Sequence, residues 1–92
     1  MDDTLRSCRE FTAVLASAAP TPGGGGAAAL TAAIGTALGG MVASLTTGKR
    51  AYASVENEIR QLLSMTTALQ EDLLDQVAAD AEGFLPLAAV YA

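Results

Sequence analysis

Residues 20–29, with the sequence PTPGGGGAAA, join two prolines and four glycines to an alanine-rich segment. Because proline lacks a backbone N–H and restricts the residue before it, a first helix is predicted to end near Ala19. A second helix is predicted to begin at about Gly25. Glycine N–H groups at a helix start are uncovered and can bind an anionic or polar group. The stretch therefore predicts either a flexible turn between two helices or a turn that also binds a ligand.

The chain on both sides of this turn has helical periodicity and no convincing strand pattern, so an all-α fold with three helices is predicted. Asp2 or Asp3 is expected to cap the first helix. Its apolar face is predicted to consist of Leu5, Cys8, Phe11 or Thr12, and Leu15. The third helix is long, and Pro86 is predicted to kink or end it. Its apolar stripe is predicted to consist of Val55, Ile59, Leu62, Leu69, Leu73, Val77 and Phe84.

The second helix, from about Gly25 to about Thr47, contains small residues at a spacing that lets helices pack closely. Gly35 and Gly39 lie four residues apart on one face. Glycine inside a helix costs about 1 kcal/mol relative to alanine, so these glycines need a packing reason. Close contact with another helix supplies that reason, and a dimer interface would provide the contact. We therefore expect long antiparallel helices packed in a bundle that dimerisation completes.

The composition limits what the chain can bury and bind. It has 92 residues, of which 51% are apolar, but many of these are alanine and only 4% of the chain is aromatic. Alanine buries little area, so we expect one small domain that needs a partner chain or more of its own sequence. A net charge of −5 argues against a nucleic-acid surface. One cysteine, no histidine and an acidic start argue against an internal disulfide, a zinc site and a signal peptide, and they indicate a cytoplasmic protein.

Residues 11–48 contain no charged side chain, so a membrane-spanning helix is one alternative for part of this block. Residues 23–47 are long enough to cross a bilayer. Their larger apolar side chains recur every three or four positions instead of covering the whole helix, and a basic anchor stands at one end only. A buried helix in a soluble bundle is therefore the preferred prediction, and a membrane-inserted helix is the weaker alternative.

Two charged segments are candidate functional sites. Lys49 and Arg50 are the first charges after the uncharged block. They either interact with the negative end of the helix dipole or bind an anionic group and stabilise charge that develops in a reaction. Asp80 falls inside the apolar stripe of the third helix, three residues after Val77 and four before Phe84. A buried carboxyl group there would suit acid–base catalysis, whereas at the edge of the stripe it would reach solvent.

Several segments together resemble one enzyme family. They are PTPGGG at residues 20–25, LTTGKRAY at residues 45–52 and DAEGF at residues 80–84, with an alanine-rich run between the first two. The combination is similar to the cyclodeaminase/cyclohydrolase family of folate enzymes, and the resemblance extends over residues 11–91. It implies an all-helical domain that dimerises and binds a folate near the subunit interface.

The resemblance also implies an activity and roles for particular residues. Family members convert 5-formiminotetrahydrofolate to 5,10-methenyltetrahydrofolate with release of ammonia, or hydrolyse methenyltetrahydrofolate to 10-formyltetrahydrofolate. The first reaction is slightly preferred because the family takes its name from it. Catalysis is assigned to Lys49 as electrostatic anchor and Asp80 as acid–base group. Substrate binding is assigned to Thr21, Pro22, Gly23, Gly24, Gly25 and Arg50. No metal or other cofactor is implied, because these reactions move only protons, water or ammonia.

Two features depart from the family pattern. Gly26 stands where family members usually carry serine, so a hydroxyl group that could cap the helix or contact the substrate is missing. Family domains also continue well past position 92, so residues 1–92 are expected to form a single helical domain that is the N-terminal part of a longer one. The alternative to an enzyme is a non-catalytic helical dimerisation module or a truncated enzyme remnant.

Overall fold

Two long helices that pack antiparallel form the body of the protein. The structure is a computed structural model that describes residues 2–91, so Met1 and Ala92, the ends of the predicted domain, lie outside the described residues. In chain order it contains α1 (Cys8–Ala16), α2 (Gly24–Thr46) and α3 (Glu56–Tyr91). Short 3-10 helices precede α1 at Asp3–Leu5 and connect α2 to α3 at Arg50–Val55. Residues 2–91 contain no strand, which confirms the predicted all-α fold.

The N-terminal segment forms two short helices instead of the single helix that was predicted. Asp2 caps the first by accepting hydrogen bonds from the hydroxyl of Thr4 at 2.7 Å and from its amide at 2.9 Å. These bonds lower the pKa of the Asp2 carboxyl group. Ser7 caps α1, because its hydroxyl accepts a hydrogen bond from the amide of Glu10 at 3.1 Å. The extended backbone at Arg6 and Ser7 interrupts the helical periodicity that the prediction assumed.

The predicted apolar face of the first helix is only partly buried. Phe11 is buried, whereas Leu5, Cys8 and Leu15 are exposed. Leu5 lies before the break in the backbone, so it does not share a helix face with Phe11. α1 also ends three residues earlier than predicted, at Ala16, and Ser17 caps its last turn.

The core lies between α2 and α3, and the residues that α2 contributes to it are small. Its buried residues are Gly26, Ala33 and Ala43. A Cβ built on Gly26 would lie 3.8 Å from Val77, in the second half of α3. A Cβ on Gly40 would instead lie 3.4 Å from Thr66, closer to the beginning of α3. The start of α2 therefore lies beside the later part of α3, which confirms the predicted antiparallel packing.

The stripe of α3 that contacts α2 differs from the predicted one. Val77 is buried, and Ile59 and Leu73 are half-buried, as predicted. The other members of the predicted stripe are exposed, namely Val55, Leu62, Leu69 and Phe84. α3 has apolar residues on more than one face, and the packed face includes Thr66 and Gln70, which are both half-buried. Because these two residues are polar, the apolar periodicity of the sequence does not include them, and the prediction was wrong there.

Pro86 lies inside α3, which continues to Tyr91. Of the two outcomes predicted for it, the end of the helix was therefore wrong. Proline removes only one hydrogen bond of the helical ladder, the one to the carbonyl four residues earlier. The bonds on either side of that position let the helix continue.

Gly35 and Gly39 do not mediate the contact between α2 and α3. A Cβ built on either residue would meet no heavy atom within 4 Å. The large apolar residues on the outer side of α2 are also exposed, namely Ile34, Leu38, Met41, Val42 and Leu45. The close contact inside the chain uses Gly40 instead. A dimer interface at Gly35 and Gly39 stays a prediction.

α2 is long and apolar enough to cross a membrane by length and composition, with a mean hydropathy of 1.6 in its most apolar window. Only 11% of that window is buried inside the structure. The buried residues are those that face α3, so α2 packs through its smallest side chains and presents its largest ones outward. Within residues 2–91, α2 is therefore not the buried helix that was predicted, because only its small residues are covered. A membrane-inserted helix stays a prediction.

Replacing Val77 with alanine tests whether the α2–α3 contact carries the stability of the fold. Val77 is 1% exposed, and loss of buried methyl groups removes burial energy and leaves a cavity. The free energy of unfolding, measured by urea denaturation, is expected to fall by about 2 kcal/mol. Val55→Ala is the control, because Val55 is 41% exposed and its loss should cost less than about 0.5 kcal/mol. Equal effects of the two substitutions would show that the core does not lie at Val77.

Candidate functional site

The carboxylate of Asp80 lies against the first turn of α2. A Cβ built on Gly25 would lie 2.7 Å from Cγ and 2.8 Å from Oδ2 of Asp80, closer than real Cβ contacts. Glycine at position 25 therefore leaves the room that this carboxylate occupies. A negative group near a helix N-terminus also interacts favourably with the helix dipole. The structure thus brings Asp80 together with Gly25, one of the residues assigned to substrate binding.

Asp80 is exposed, so of the buried and edge positions that its place in the apolar stripe left open, it does not take the buried one. The neighbouring positions Val77 and Ala81 are buried, and Val77 packs against Gly26 of α2. Asp80 lies at the edge of this contact because each residue of a helix is turned by about 100° from the one before it. The edge position is the alternative that the sequence left open.

An open groove of about 370 Å³ lies beside Asp80 on α3. Gln76 and Phe84 line it together with Asp80. These three residues are four positions apart, so they share one face of the helix. The groove offers a carboxylate, an amide and an aromatic ring on one surface. Gln76 and Phe84 were not assigned to the site from the sequence, although their spacing of four from Asp80 is a signal that could have identified them.

The residues that precede and begin α2 contact two different parts of the structure. Pro22 is buried, and its Cβ would lie 3.7 Å from a Cβ on Gly26. Thr21, joined to Pro22 by a cis peptide bond, lines a separate cavity of about 190 Å³ with Asp3 and Arg6. Gly23 and Gly24 are next along the chain, and a Cβ on Gly24 would meet nothing within 4 Å. Of the five residues assigned to substrate binding in this segment, Gly25 is the one beside Asp80.

Lys49 and Arg50 lie in the turn that follows α2. Both side chains are exposed. Among residues 2–91, no carboxylate lies within 4.0 Å of either cation. The backbone of Lys49 is held on both sides, because its N–H donates to the carbonyl of Thr46 at 3.3 Å and its carbonyl accepts from the amide of Tyr52 at 3.0 Å. The two positive charges are therefore available to an anionic ligand.

The two residues assigned to catalysis lie at opposite ends of α2. Asp80 is beside Gly25 in its first turn, whereas Lys49 comes shortly after its last residue, Thr46. α2 has 23 residues, so at 1.5 Å per residue its ends are about 34 Å apart. Within one chain, Lys49 and Asp80 are therefore not brought together. A site that contains both needs a second copy of the chain or further sequence.

Within residues 2–91, no group of three or more His, Cys, Asp or Glu side chains is placed to hold a metal ion. The polar groups beside Asp80 are instead the amide of Gln76 and the backbone of the glycine turn.

The segments that carry these features also match one family of known proteins. The model of the formiminotransferase-cyclodeaminase family matches residues 7–92. The chain belongs to this family. The matched range includes the glycine turn, the Lys49 turn and the Asp80 groove, so the resemblance found in the sequence is confirmed.

Curated relatives of the chain carry two different names. A methenyltetrahydrofolate cyclohydrolase of Methylorubrum extorquens is 50% identical over 70 residues, which cover 76% of this chain and 34% of that protein. A formimidoyltransferase-cyclodeaminase of Dictyostelium discoideum is 44% identical over 57 residues, covering 62% of this chain and 11% of the relative. The rat protein of the same name is 36% identical over 78 residues, covering 85% of this chain and 14% of the relative. The chain thus spans about a third or less of the length of these relatives.

Replacing Gly25 with alanine is predicted to displace the Asp80 carboxylate without unfolding the protein. The new Cβ would occupy the space of the carboxylate, which can rotate away because it ends a side chain. Alanine also favours a helix by about 1 kcal/mol over glycine, so the melting temperature should stay the same or rise. The measurement is the ¹³C NMR signal of the Asp80 carboxyl group, which should shift.

Gly24→Ala is the matched control for this substitution, because a Cβ there meets nothing within 4 Å. It makes the same chemical change one residue earlier in the same helical turn. If both substitutions leave the Asp80 signal equally unchanged, Gly25 and Asp80 are not in close contact in solution.

Proposed function

We propose that the chain is part of an enzyme that acts on a one-carbon unit carried by tetrahydrofolate, in the cytoplasm. The observation that carries the proposal is the family match over residues 7–92, which includes both charged segments described above. The substrate is then a tetrahydrofolate derivative, and the chemistry needs no other cofactor. The relatives' names supply two candidate reactions.

Of these, we favour hydrolysis of 5,10-methenyltetrahydrofolate to 10-formyltetrahydrofolate. The chain is more similar to the Methylorubrum extorquens cyclohydrolase than to the formimidoyltransferase-cyclodeaminases compared with it. This similarity outweighs the slight preference for a cyclodeaminase that the family name gave. Conversion of 5-formiminotetrahydrofolate to the methenyl compound with release of ammonia is the second candidate.

The groove beside Asp80 has groups that suit either reaction. In hydrolysis, water would add to the methenyl carbon and lose one proton to the Asp80 carboxylate; the bond from this carbon to N5 would then break as the new hydroxyl becomes the formyl oxygen and its proton passes to N5. In the other reaction, N10 would attack the formimino carbon, and the carboxyl group of Asp80 would deliver a proton to the nitrogen that leaves as ammonia when its bond to this carbon breaks. The ring of Phe84 could stack on a flat pterin, and the amide of Gln76 could donate to and accept from its polar edge. Glycine at position 25 would leave the space in which this carboxylate lies.

Lys49 and Arg50 would bind the negatively charged glutamate end of a folate. Because α2 separates them from Asp80 by about 34 Å, the two groups could serve one ligand only if they come from different copies or if more of the protein contributes. We propose a homodimer. The open surface at Gly35 and Gly39, flanked by exposed apolar side chains, supports this assembly.

The second candidate function is a non-catalytic helical dimerisation module or an enzyme remnant. The observation that favours it is the distance between the two residues assigned to catalysis, combined with the exposure of Asp80. The chain also lacks the serine hydroxyl at position 26. A Cβ there would make only ordinary contacts, 3.9 Å from Oδ2 of Asp80. A serine would therefore fit at this position, and Gly26→Ser should fold.

The purified chain is assayed with 5,10-methenyltetrahydrofolate, whose ultraviolet absorbance falls on hydrolysis, and with 5-formiminotetrahydrofolate, whose conversion raises it. Asp80→Asn is expected to lower kcat about 100-fold or more, because it removes the acid–base group. Lys49→Ala is expected to raise KM about tenfold, because it removes a charged contact with the substrate. Asp75→Asn is the control for the carboxylate, since Asp75 is another exposed residue of α3. A folded dimer that turns over neither compound would establish the dimerisation module.

Gly39→Glu is predicted to separate the dimer while leaving each chain folded. A Cβ at Gly39 has open space within one chain, but two carboxylates brought together at an interface would repel each other and lose solvation. Sedimentation equilibrium should give twice the chain mass for the unaltered protein and the single-chain mass for the variant. Gln61→Glu adds the same charge at an exposed position of α3 and should leave the dimer intact. Unchanged dimerisation in Gly39→Glu would place the interface elsewhere.

A further inference from the structure

We infer that Glu56 is a positioning residue that fixes the turn carrying Lys49, an inference that rests on the role proposed above for Lys49. Glu56 is the first residue of α3. Its Oε1 accepts a hydrogen bond from the backbone N–H of Gly48 at 2.7 Å. Its Oε2 accepts one from Nε of Arg60 at 2.9 Å. One half-buried carboxylate thus joins the end of α2 to the beginning of α3.

The turn needs this contact because of its backbone conformation. Gly48 has a φ of +76°, which side chains other than glycine rarely adopt. The last bond in the regular pattern of α2 is donated by Thr47, to the carbonyl of Ala43 at 3.0 Å. Gly48 then turns away from the helix, and its N–H is directed to Glu56 instead. The Gly48 N–H is exposed, but its bond to the Glu56 carboxylate is charge-assisted and is therefore stronger than a neutral hydrogen bond, so the carboxylate stabilises this conformation.

The contact fixes the backbone of Lys49 while its ammonium group stays available. Gly48 is held by Glu56, and the carbonyl of Lys49 is held by Tyr52. The backbone at Lys49 therefore has few alternative conformations. A charged group whose backbone is already ordered loses less conformational entropy when it binds a ligand. Binding of an anion at this turn should accordingly depend on Glu56, although Glu56 itself carries the same charge as the anion.

The ion pair with Arg60 explains how the negatively charged Glu56 can lie near Lys49, which is proposed to bind anions. Its guanidinium group is paired with Oε2 of Glu56, and the other oxygen is occupied by Gly48. Both oxygens of the carboxylate thus have donors. Neither oxygen of Glu56 lies within 4.0 Å of the ammonium group of Lys49, whose charge stays open to an outside ligand.

The test compares Glu56→Ala with Glu56→Gln in the full chain. Glutamine keeps an oxygen that can accept from Gly48, whereas alanine does not. In Glu56→Ala, the Gly48 amide should exchange its hydrogen at least about tenfold faster, and KM for 5,10-methenyltetrahydrofolate should rise about tenfold with kcat changed less than about twofold. Glu56→Gln should restore most of both values. Glu58→Ala is the control, since Glu58 is another acidic residue in the first turn of α3, and it should change neither.

Two results would overturn the inference. In the first, Glu56→Ala leaves the exchange of the Gly48 amide unchanged, so the carboxylate does not hold the turn. In the second, Glu56→Gln raises KM as much as Glu56→Ala does, so the charge matters and the hydrogen bond does not. Absence of turnover in the unaltered protein would remove the proposed function alone, because the exchange of the Gly48 amide still decides whether Glu56 fixes the turn.

Discussion

The close approach of α2 to α3 is the constraint on which the rest of the structure depends. It is possible because α2 places glycine and alanine against α3, so the two backbones meet with little side-chain volume between them. A methyl group at Gly40 would already lie 3.4 Å from Thr66, which leaves little room for anything larger. Since the small residues face inward, the large apolar residues of α2 face outward. The same arrangement thus forms a narrow core and an extensive apolar surface.

The antiparallel contact also determines where the charged groups lie. It places the glycine turn beside the later part of α3, where Asp80 is, and it places the Lys49 turn beside the first residues of α3. One end of the helix pair therefore has the Asp80 carboxylate at its surface, and the other has the Lys49 and Arg50 cations. The carboxylate end has a groove with an amide and an aromatic ring, and the backbone of the Lys49 turn is held by hydrogen bonds. A ligand with a flat polar head and an anionic tail matches both surfaces, but they lie too far apart within one chain for a single molecule to contact both.

The sequence was sufficient for the all-α fold and for the turn before α2, because proline and glycine act locally on the backbone. It was not sufficient for the face that α3 presents to α2. That face includes Thr66 and Gln70, and their burial depends on the small residues opposite them. The break before Ser7 was missed because a side-chain cap and a short 3-10 helix leave the spacing of apolar residues almost unchanged. The role assigned to Asp80 stays a prediction, and its exposure and its contact with Gly25 depend on how two distant segments meet.

The first turn of α2 consists of Gly24, Gly25 and Gly26, and the residue before it, Gly23, provides no side-chain cap. Glycine has more backbone entropy to gain on opening than any other residue, and an uncapped N-terminus has fewer bonds to lose. This turn is therefore the part of α2 that unfolds locally at the lowest free energy. The Asp80 carboxylate also lies against this turn. Local unfolding of the turn would consequently displace the carboxylate, and a molecule that fills the groove would order the turn and the carboxylate together.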